Sequence, residues 1–291
     1  MSGPQAAWLQ SGQGRRLHLQ HGPIDLVIEA FGTAESEQAA YTNAWARFQT
    51  ILDELVAELP LLRQPLSGAH PLLRGRVARR MAAACWPHRA EFITPMAAVA
   101  GSVAEEIIAA MSEAEGLRKA YVNNGGDIAL LLDGNESFTA GVVGNVDQPH
   151  IDARAEIRAS MPCRGIATSG WRGRSFSRGI ADAVTVLAHS ASEADAAATI
   201  IANAVNAEHP AITRRVASDL QPDSDLGDLL VTENVGVLPI ALVLEALSSG
   251  AAVAHDLKRN GLIQAAYLSL QGETHVVGGE AVLMNRAGGM A

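Results

Sequence analysis

The chain has 291 residues, enough to bury a sizeable core without disulfides or a structural metal. Apolar residues make up 48% of it and charged residues 18%, a balance typical of globular proteins. Its 22 basic and 31 acidic side chains give a net charge of −9, which disfavours nucleic acid as a partner. No uncharged apolar stretch reaches the roughly 18 to 20 residues of a membrane-spanning helix, and no secretory signal is recognisable. We therefore expect a soluble, cytoplasmic protein with no membrane partner.

The two cysteines, Cys85 and Cys163, are too few for a disulfide framework or a thiolate zinc site. We expect both to be buried as small apolar residues. The sequence has none of the motifs GxxxxGK[ST], GxGxxG, HExxH, CxxC or GxSxG, and its nine histidines lack metal-ligand spacing. The common nucleotide, zinc and serine-hydrolase sites are therefore not predicted.

The first part of the chain opens with strands and continues with helices. Alternating apolar residues on either side of a Gly-Pro turn predict a β-hairpin over 17–28. Apolar residues three and four apart predict an amphipathic helix over 34–59, ended by Pro60. An arginine-rich helical stretch over 74–86 follows, and a further helix runs over 94–111.

A glycine-rich turn joins two predicted strands near the middle of the chain. Residues 120–123 and 128–132 have strand-like composition, and they flank the sequence NGGD at 124–127. A third strand at 138–143 completes a predicted β-meander.

The second half of the chain also mixes strands and helices. Its predicted elements are strands over 183–187, 229–231 and 235–238, helices over 192–207, 240–247 and 251–260, and a hairpin of 265–270 with 274–277. Because strands and helices mix without strict βαβ alternation, we expect an α+β fold with a mixed or antiparallel sheet and packed helices.

Small side chains run from Ala98 to Ala104 at the start of the predicted helix over 94–111. They allow either a second backbone or a ligand to approach closely. Tight helix packing and ligand contact both fit this pattern, and the sequence leaves both open.

Asp195 and Thr199 form a candidate metal site. A spacing of four places both on one face of the helix over 192–207, and carboxylate and hydroxyl oxygens suit Mg²⁺. The alternative is a capping box, Ser192-x-x-Asp195, in which Asp195 satisfies the start of that helix. Spacing alone does not decide between them.

Two glycine turns have backbone N–H groups suited to phosphate: Gly125-Gly126 and Thr168-Ser169-Gly170. Three arginines follow the second turn: Arg172, Arg174 and Arg178. They either meet a bound anion or pair with surface acids such as Asp182 and Glu193.

At these residues the sequence resembles a known family, the ApbE-type flavin transferases. The similar segments are Asn123–Ile128, Ala167–Gly170 and Ala194–Thr199, which match the N-x-GGD, TSG and ADAxxT motifs in order, and Ala98–Ala104, which is similar to the G-I-A-K-G-Y-A stretch. The resemblance spans roughly 22–205, and the remainder is closer to an uncharacterised ApbE-like subfamily.

The resemblance implies a single ApbE-like domain of T-fold type over 1–291, with FAD and Mg²⁺ as cofactors. It implies that Asp195 and Thr199 hold the metal, with a backbone carbonyl near Ala98 as a further ligand. With the arginines added, the candidate cofactor-binding residues are Asn124, Gly125, Gly126, Asp127, Thr168, Ser169, Gly170, Arg172 and Arg174. The catalytic residues are not identified, and homo-oligomer formation stays open.

Two departures from the family motifs bear on activity. The family transferases carry S-H-I-x-D-P after TSG, whereas Arg178 stands here in place of the histidine. The lysine of G-I-A-K-G is also missing, because Ala100 runs directly into Gly101. Loss of the histidine favours a protein that binds without transfer, whereas retention of Asp195 and Thr199 favours an enzyme. We expect a Mg²⁺-dependent enzyme, transferase-like or hydrolase-like, that acts on FAD or a related phosphorylated or small cyclic substrate without protein flavinylation. The alternative is a non-catalytic flavin- or nucleotide-binding protein of the same fold.

Overall fold

The computed structural model describes residues 3–11, 14–144, 150–278 and 282–284. The strands in these residues are β1 (Gln5–Ser11), β2 (Gly14–His21), β3 (Ile24–Phe31), β4 (Lys119–Asn124), β5 (Asp127–Leu132), β6 (Ser137–Val142), β7 (Ala153–Arg158), β8 (Gly165–Ser169), β9 (Ala183–Ala188), β10 (Ile212–Val216), β11 (Leu230–Val235), β12 (Ala265–Leu270), β13 (Glu273–Val277) and β14 (Val282–Met284). The α-helices are α1 (Ala34–Leu62), α2 (Arg76–Cys85), α3 (Val99–Met111), α4 (Ala191–Ala204), α5 (Ala217–Leu220) and α6 (Ile240–Arg259). This mixture confirms the predicted α+β class.

The chain divides into two compact units. The first comprises Met1–Ser137, Arg158–Ala167 and Ala188–Ala196, and the second comprises Phe138–Ile157, Thr168–Leu187 and Ala197–Ala291. Strand β8 and helix α4 each begin in the first unit and end in the second. The expectation of a single domain over 1–291 stays a prediction.

The first unit is built on a large antiparallel sheet with the strand order β1-β2-β3-β4-β5-β8. The predicted hairpin over 17–28 is confirmed as β2 and β3, joined at Gly22 with φ 56°. Helices α1, α2 and α3 pack with this sheet, and its core includes the fully buried Leu19, Ile28, Phe48 and Ile107. The core therefore lies between one face of the sheet and the helices.

Two features of the first unit differ from the sequence-based expectation. Strand β1 has no counterpart among the predicted strands, because its side chains over 5–9 are exposed and lack the alternation of a half-buried strand. Helix α1 also continues through Pro60 to Leu62, because Leu62 is fully buried and anchors the last turn in the core.

Two glycines hold the start of α4 in the first unit. A Cβ at Gly101 would lie 2.2 Å from the carbonyl oxygen of Ala191, and one at Gly165 would lie 2.1 Å from that of Ser190. No side chain fits at either position without moving the backbone of 190–191. Tight packing is therefore one role of the small residues at the start of α3.

The second unit contains three smaller strand groups: β9-β12-β13, β10-β11 and β14-β7-β6. Helix α6 packs against β12 and β13, and the predicted hairpin over 265–277 is confirmed as these two strands. The predicted meander is wrong, because β6 joins a separate sheet with β7 and β14 rather than pairing with β5.

Three further predictions in the second unit need correction. The helices over 240–247 and 251–260 are one helix, α6, because Gly250 lets the helix lie against Val205, whose Cγ2 would be 2.3 Å from an added Cβ. A single strand, β11 (Leu230–Val235), stands where strands at 229–231 and 235–238 were predicted; residues 236–238 lie outside it, so the second of these strands is wrong. Its antiparallel partner β10 was missed, because its alternation is short and polar.

Among the described residues, α6 is long and apolar enough to cross a membrane by length and composition alone. One third of that stretch is buried, and the core helices of soluble proteins pass the same test. Cytoplasmic location therefore stays a prediction. Cys85 and Cys163 are both buried, as expected, and burial raises the pKa of the Cys163 thiol to about 11.

Candidate active site

The NGGD turn between β4 and β5 is shaped by its glycines. Gly125 and Gly126 have φ values of 65° and 115°, which side-chain-bearing residues rarely adopt. The Gly126 N–H donates to Asn123 Oδ1 at 2.8 Å, and no atom lies within 4 Å of the position of an added Cβ there. The turn is therefore fixed by backbone conformation, with open space beside Gly126.

The Asp195 carboxylate lies at the start of α3. Its Oδ2 accepts a hydrogen bond from the Gly101 N–H at 2.9 Å, and the Ala100 N–H also bonds to this carboxylate. Ala98, the residue at the N-cap of α3, makes no side-chain capping bond, so Asp195 of α4 supplies that cap. The negative charge is also favoured by the helix dipole.

The capping-box alternative for Ser192 and Asp195 is wrong. The Ser192 N–H donates instead to Glu105 Oε2 at 3.1 Å, and Ser190 Oγ accepts from the Glu193 N–H at 3.3 Å. The start of α4 is thus satisfied by Ser190 and Glu105, and the Asp195 carboxylate faces α3.

A second carboxylate, that of Asp127 in the NGGD turn, acts on Asp195 electrostatically. Low solvation of the Asp195 carboxyl and repulsion from Asp127 raise its pKa well above the ordinary value, against the opposing effect of the two N–H bonds. Asp127 is only 9% exposed, whereas Asp195 keeps some accessible surface. Two acidic side chains therefore lie close together in a poorly solvated place, each disfavouring the charge of the other.

Asn124 ties the turn to the same helix end. Its Nδ2 donates to the Ala100 carbonyl oxygen at 3.1 Å, and its side chain is buried. Asn124, Asp127 and Asp195, which come from two motifs about 70 residues apart in sequence, are thereby brought together in the first unit. We call Asn124, Asp127, Asp195 and the α3 start at 98–101 the carboxylate cluster.

The donor set of the carboxylate cluster fits a hard divalent cation. Oxygen ligands are those that Mg²⁺ prefers, and a cation would relieve the repulsion between the two carboxylates. Ala98 lies at the same helix end, and Thr199 lies one turn after Asp195 on α4. The described residues hold no group of three or more His, Cys, Asp or Glu that could bind a metal, so backbone or hydroxyl oxygens would have to complete the site.

The remaining candidates lie in the second unit. Thr168 Oγ1 is 2.8 Å from Thr185 Oγ1, and a Cβ at Gly170 would lie 2.5 Å from the Asp182 carbonyl oxygen. Ser169 is partly exposed. The predicted turn at Thr168-Ser169-Gly170 is wrong: Thr168 and Ser169 end β8, and the chain turns after them, at Trp171 and Arg172. The segment is held by its neighbours, while Thr168 itself is exposed.

The three arginines that follow residues 168–170 lie in different environments. Arg172 Nε donates to Asp182 Oδ1 at 2.7 Å, and its guanidinium stacks 4.4 Å from the Trp171 ring centre. Asp182 is 4% exposed, so its description as a surface acid was wrong. Arg174 is exposed, and Arg178 is partly exposed with its backbone N–H bonded to Asn203 Oδ1. The pairing alternative thus holds for Arg172, and anion binding by these residues stays a prediction.

Sequence reasoning missed Glu105, whose carboxylate bonds the start of α4. The available signal was a pair of glutamates, Glu105 and Glu106, on an otherwise apolar helix directly after the small-residue run.

Comparison with known proteins supplies the family context. A family model described as "AbpE bacteria" matches residues 6–276. A UPF0280 protein of Methanothrix thermoacetophila is 33% identical over 191 residues, 63% of this chain and 75% of that protein. A UPF0280 protein of Methanosphaerula palustris is 36% identical over 197 residues, 65% of this chain and 77% of that protein.

A solved structure extends the likeness to the fold. The ApbE protein of Thermotoga maritima matches with a TM-score of 0.55 at 12% identity, covering 93% of this chain and 96% of that chain. At this identity the match shows the ApbE fold.

Proposed function

Because this chain belongs to the ApbE-like family, matched over residues 6–276, and is related to the UPF0280 proteins, we propose a function of that family for it. We propose that it is a Mg²⁺-dependent enzyme acting on FAD or a related phosphorylated compound. The reaction we propose is hydrolysis of the pyrophosphate, in which FAD and water give FMN and AMP. Transfer of FMN to a protein is not part of the proposal.

The observation that carries the proposal is the pair of carboxylates, Asp127 and Asp195, beside an open glycine turn. Asp195 is held by the N–H groups of Ala100 and Gly101, so its oxygens have a fixed direction. A like-charged pair in a poorly solvated site is unfavourable alone, and a divalent cation between ligand and protein compensates it.

The residues divide into two roles in this proposal. Asp195 and Asp127 would hold Mg²⁺, with Thr199 and the Ala98 carbonyl as further oxygen ligands. The cation, when bound, would neutralise charge on a pyrophosphate. The N–H groups around Gly125 and Gly126 would orient phosphate oxygens. Residues 168–170 with Arg174 would also bind a phosphorylated ligand.

Arg178 is the reason that the proposed function does not include protein flavinylation. It stands where the resembling transferases have histidine, and an arginine stays protonated at neutral pH, so it cannot remove a proton from an acceptor hydroxyl. The same substitution supports the second candidate, a non-catalytic flavin-binding protein.

The test is incubation of the purified chain with FAD and Mg²⁺, with AMP and FMN separated by chromatography. We expect both products in equal amounts, their loss when EDTA is added, and their loss in Asp195→Asn. The matched control is Asp53→Asn, which removes an exposed carboxylate from α1 and should keep activity.

Two results would decide against hydrolysis. FAD binding without AMP release would leave the binding protein as the function. A flavin-labelled acceptor peptide in mass spectra would show that transfer is retained without the histidine.

A further inference from the structure

Glu105 on α3 makes contacts that the cation site itself does not need. Its Oε2 accepts from the Ser192 backbone N–H at 3.1 Å and from the Ser192 hydroxyl at 2.6 Å. Its Oε1 is 3.1 Å from Arg80 Nε on α2. One carboxylate therefore joins α2, α3 and the first turn of α4.

This junction lies one turn from Asp195 along α4. Residues Ser192 to Asp195 form one helical turn. The backbone of the preceding residue, Ala191, packs directly against Gly101. Gly101 also donates its N–H to Asp195. The position of the Asp195 carboxylate on the start of α3 therefore depends on how the first turn of α4 is held.

Glu105 is itself held in place by a chain of ion pairs. Arg80 also bonds to Glu106 Oε2 at 2.8 Å, and Glu106 Oε1 is 2.7 Å from Arg47 Nε on α1. The side chain of Glu106 is 1% exposed, so this chain is fixed within the helical layer. Such outer contacts orient metal ligands without touching the metal.

We propose that Glu105 is a positioning residue: through Ser192 it fixes the first turn of α4 so that the Asp195 carboxylate stays aligned with the Ala100 and Gly101 N–H groups. The part of this inference that involves a cation rests on the proposed function. The alignment of Asp195 does not depend on that function, because it is argued only from contacts within the protein.

The test compares Glu105→Gln with Glu54→Gln. Glutamine cannot accept from both Ser192 and Arg80, so one of the two contacts is lost. Glu54 bonds Arg47 at 2.7 Å in the same helical layer but makes no bond to α4, so its loss controls for general weakening of the ion-pair chain. Ser192→Ala is a third variant, which keeps the backbone bond to Glu105 and loses the hydroxyl bond to Glu105 together with the 3.1 Å contact to the Ser190 hydroxyl.

The first measurement is amide hydrogen exchange of Gly101 by NMR in metal-free protein. We expect faster exchange in Glu105→Gln, by about tenfold or more, and an unchanged rate in Glu54→Gln. Equal Gly101 exchange in both variants, with both folded, would overturn the positioning role.

The second measurement is calorimetric titration with Mn²⁺. We expect binding to weaken about tenfold or more in Glu105→Gln, about threefold in Ser192→Ala, and not in Glu54→Gln. A wild-type chain that binds no Mn²⁺ would refute the proposed function, while the exchange rates would still decide the positioning role. Wild-type Mn²⁺ affinity in Glu105→Gln would overturn the link from Glu105 to the cation.

Discussion

Two poorly solvated aspartates, one in each unit, are satisfied in opposite ways. Asp182 in the second unit receives the Arg172 guanidinium, the Trp171 Nε1–H at 3.2 Å and the Gln271 N–H at 2.6 Å. Asp195 in the first unit receives two backbone N–H groups and faces a second carboxylate. The charge of Asp182 is neutralised by a guanidinium, whereas the hydrogen bonds to Asp195 come from neutral backbone groups. We therefore expect a buried acid to indicate a binding site only when its hydrogen-bond partners leave its negative charge unbalanced.

Replacing Asp182 should have the largest effect on stability. Asp182→Asn leaves Arg172 without its carboxylate, and breaking such a pair typically costs about 3 to 5 kcal/mol. Urea unfolding measures the loss. The control is Glu233→Gln in the same unit, which breaks an exposed 3.4 Å pair with Arg215 and should change stability by less than about 0.5 kcal/mol. Equal effects of the two variants would remove the contrast drawn for Asp182.

The second effect concerns His88, a buried histidine of the first unit. Its contribution to the pH dependence of stability must be separated from that of the acidic side chains. Burial lowers the pKa of His88 to about 4, below its ordinary 6.5. The unfolded chain therefore binds the proton first as the pH falls, so stability present above pH 6.5 is lost toward pH 4, by about 3 kcal/mol. Unfolding of wild type and His88→Gln should be measured across this range, and the contribution of His88 is the pH dependence of the difference between them, which should disappear if His88 is not the cause.

Replacing Asp195 should change stability in the opposite direction from Asp182. Asp195→Asn removes the repulsion with Asp127, and we expect the metal-free protein to gain about 1 kcal/mol at neutral pH. Because the folded-state pKa of Asp195 is raised, wild type carries this penalty only as the pH rises above the ordinary value of 3.8, so the gain should vanish in acid. A loss of stability in metal-free Asp195→Asn, seen by thermal unfolding, would contradict the comparison.

The smallest effect on stability is expected at Arg174. It is exposed, so Arg174→Ala should change the melting temperature little. If it meets the phosphate of FAD or AMP, nucleotide affinity should fall about tenfold or more. Arg172→Ala gives the contrast, since it breaks the pair with Asp182 and should lower stability. Unchanged nucleotide affinity in Arg174→Ala would remove Arg174 from the site.

The sequence predicted those elements whose patterns are local. The period of α1, the hairpin over 17–28 and the NGGD turn depend on residues close in the chain, and all three are confirmed. The start of α4 depends on α3, some 90 residues away, so a local capping pattern at Ser192 gave the wrong partner for Asp195. The division of α6 at Gly250 was wrong for the same reason, because Gly250 packs against Val205, 45 residues earlier in the chain. Strand β10 was missed for a local reason, its short and polar alternation.

The glycines at 101 and 165 have a consequence for the order in which the first unit folds. The start of α4 fits against Gly101 of α3 and Gly165 of β8, and it meets α3 only across a loop of about 90 residues. Closing a long loop is slow and is rewarded only when both surfaces exist. We therefore expect the first turn of α4 to dock late, after the α3 and β8 backbones have formed. We then expect the unfavourable approach of Asp195 to Asp127 to occur only at the end of folding, after the rest of the first unit has formed.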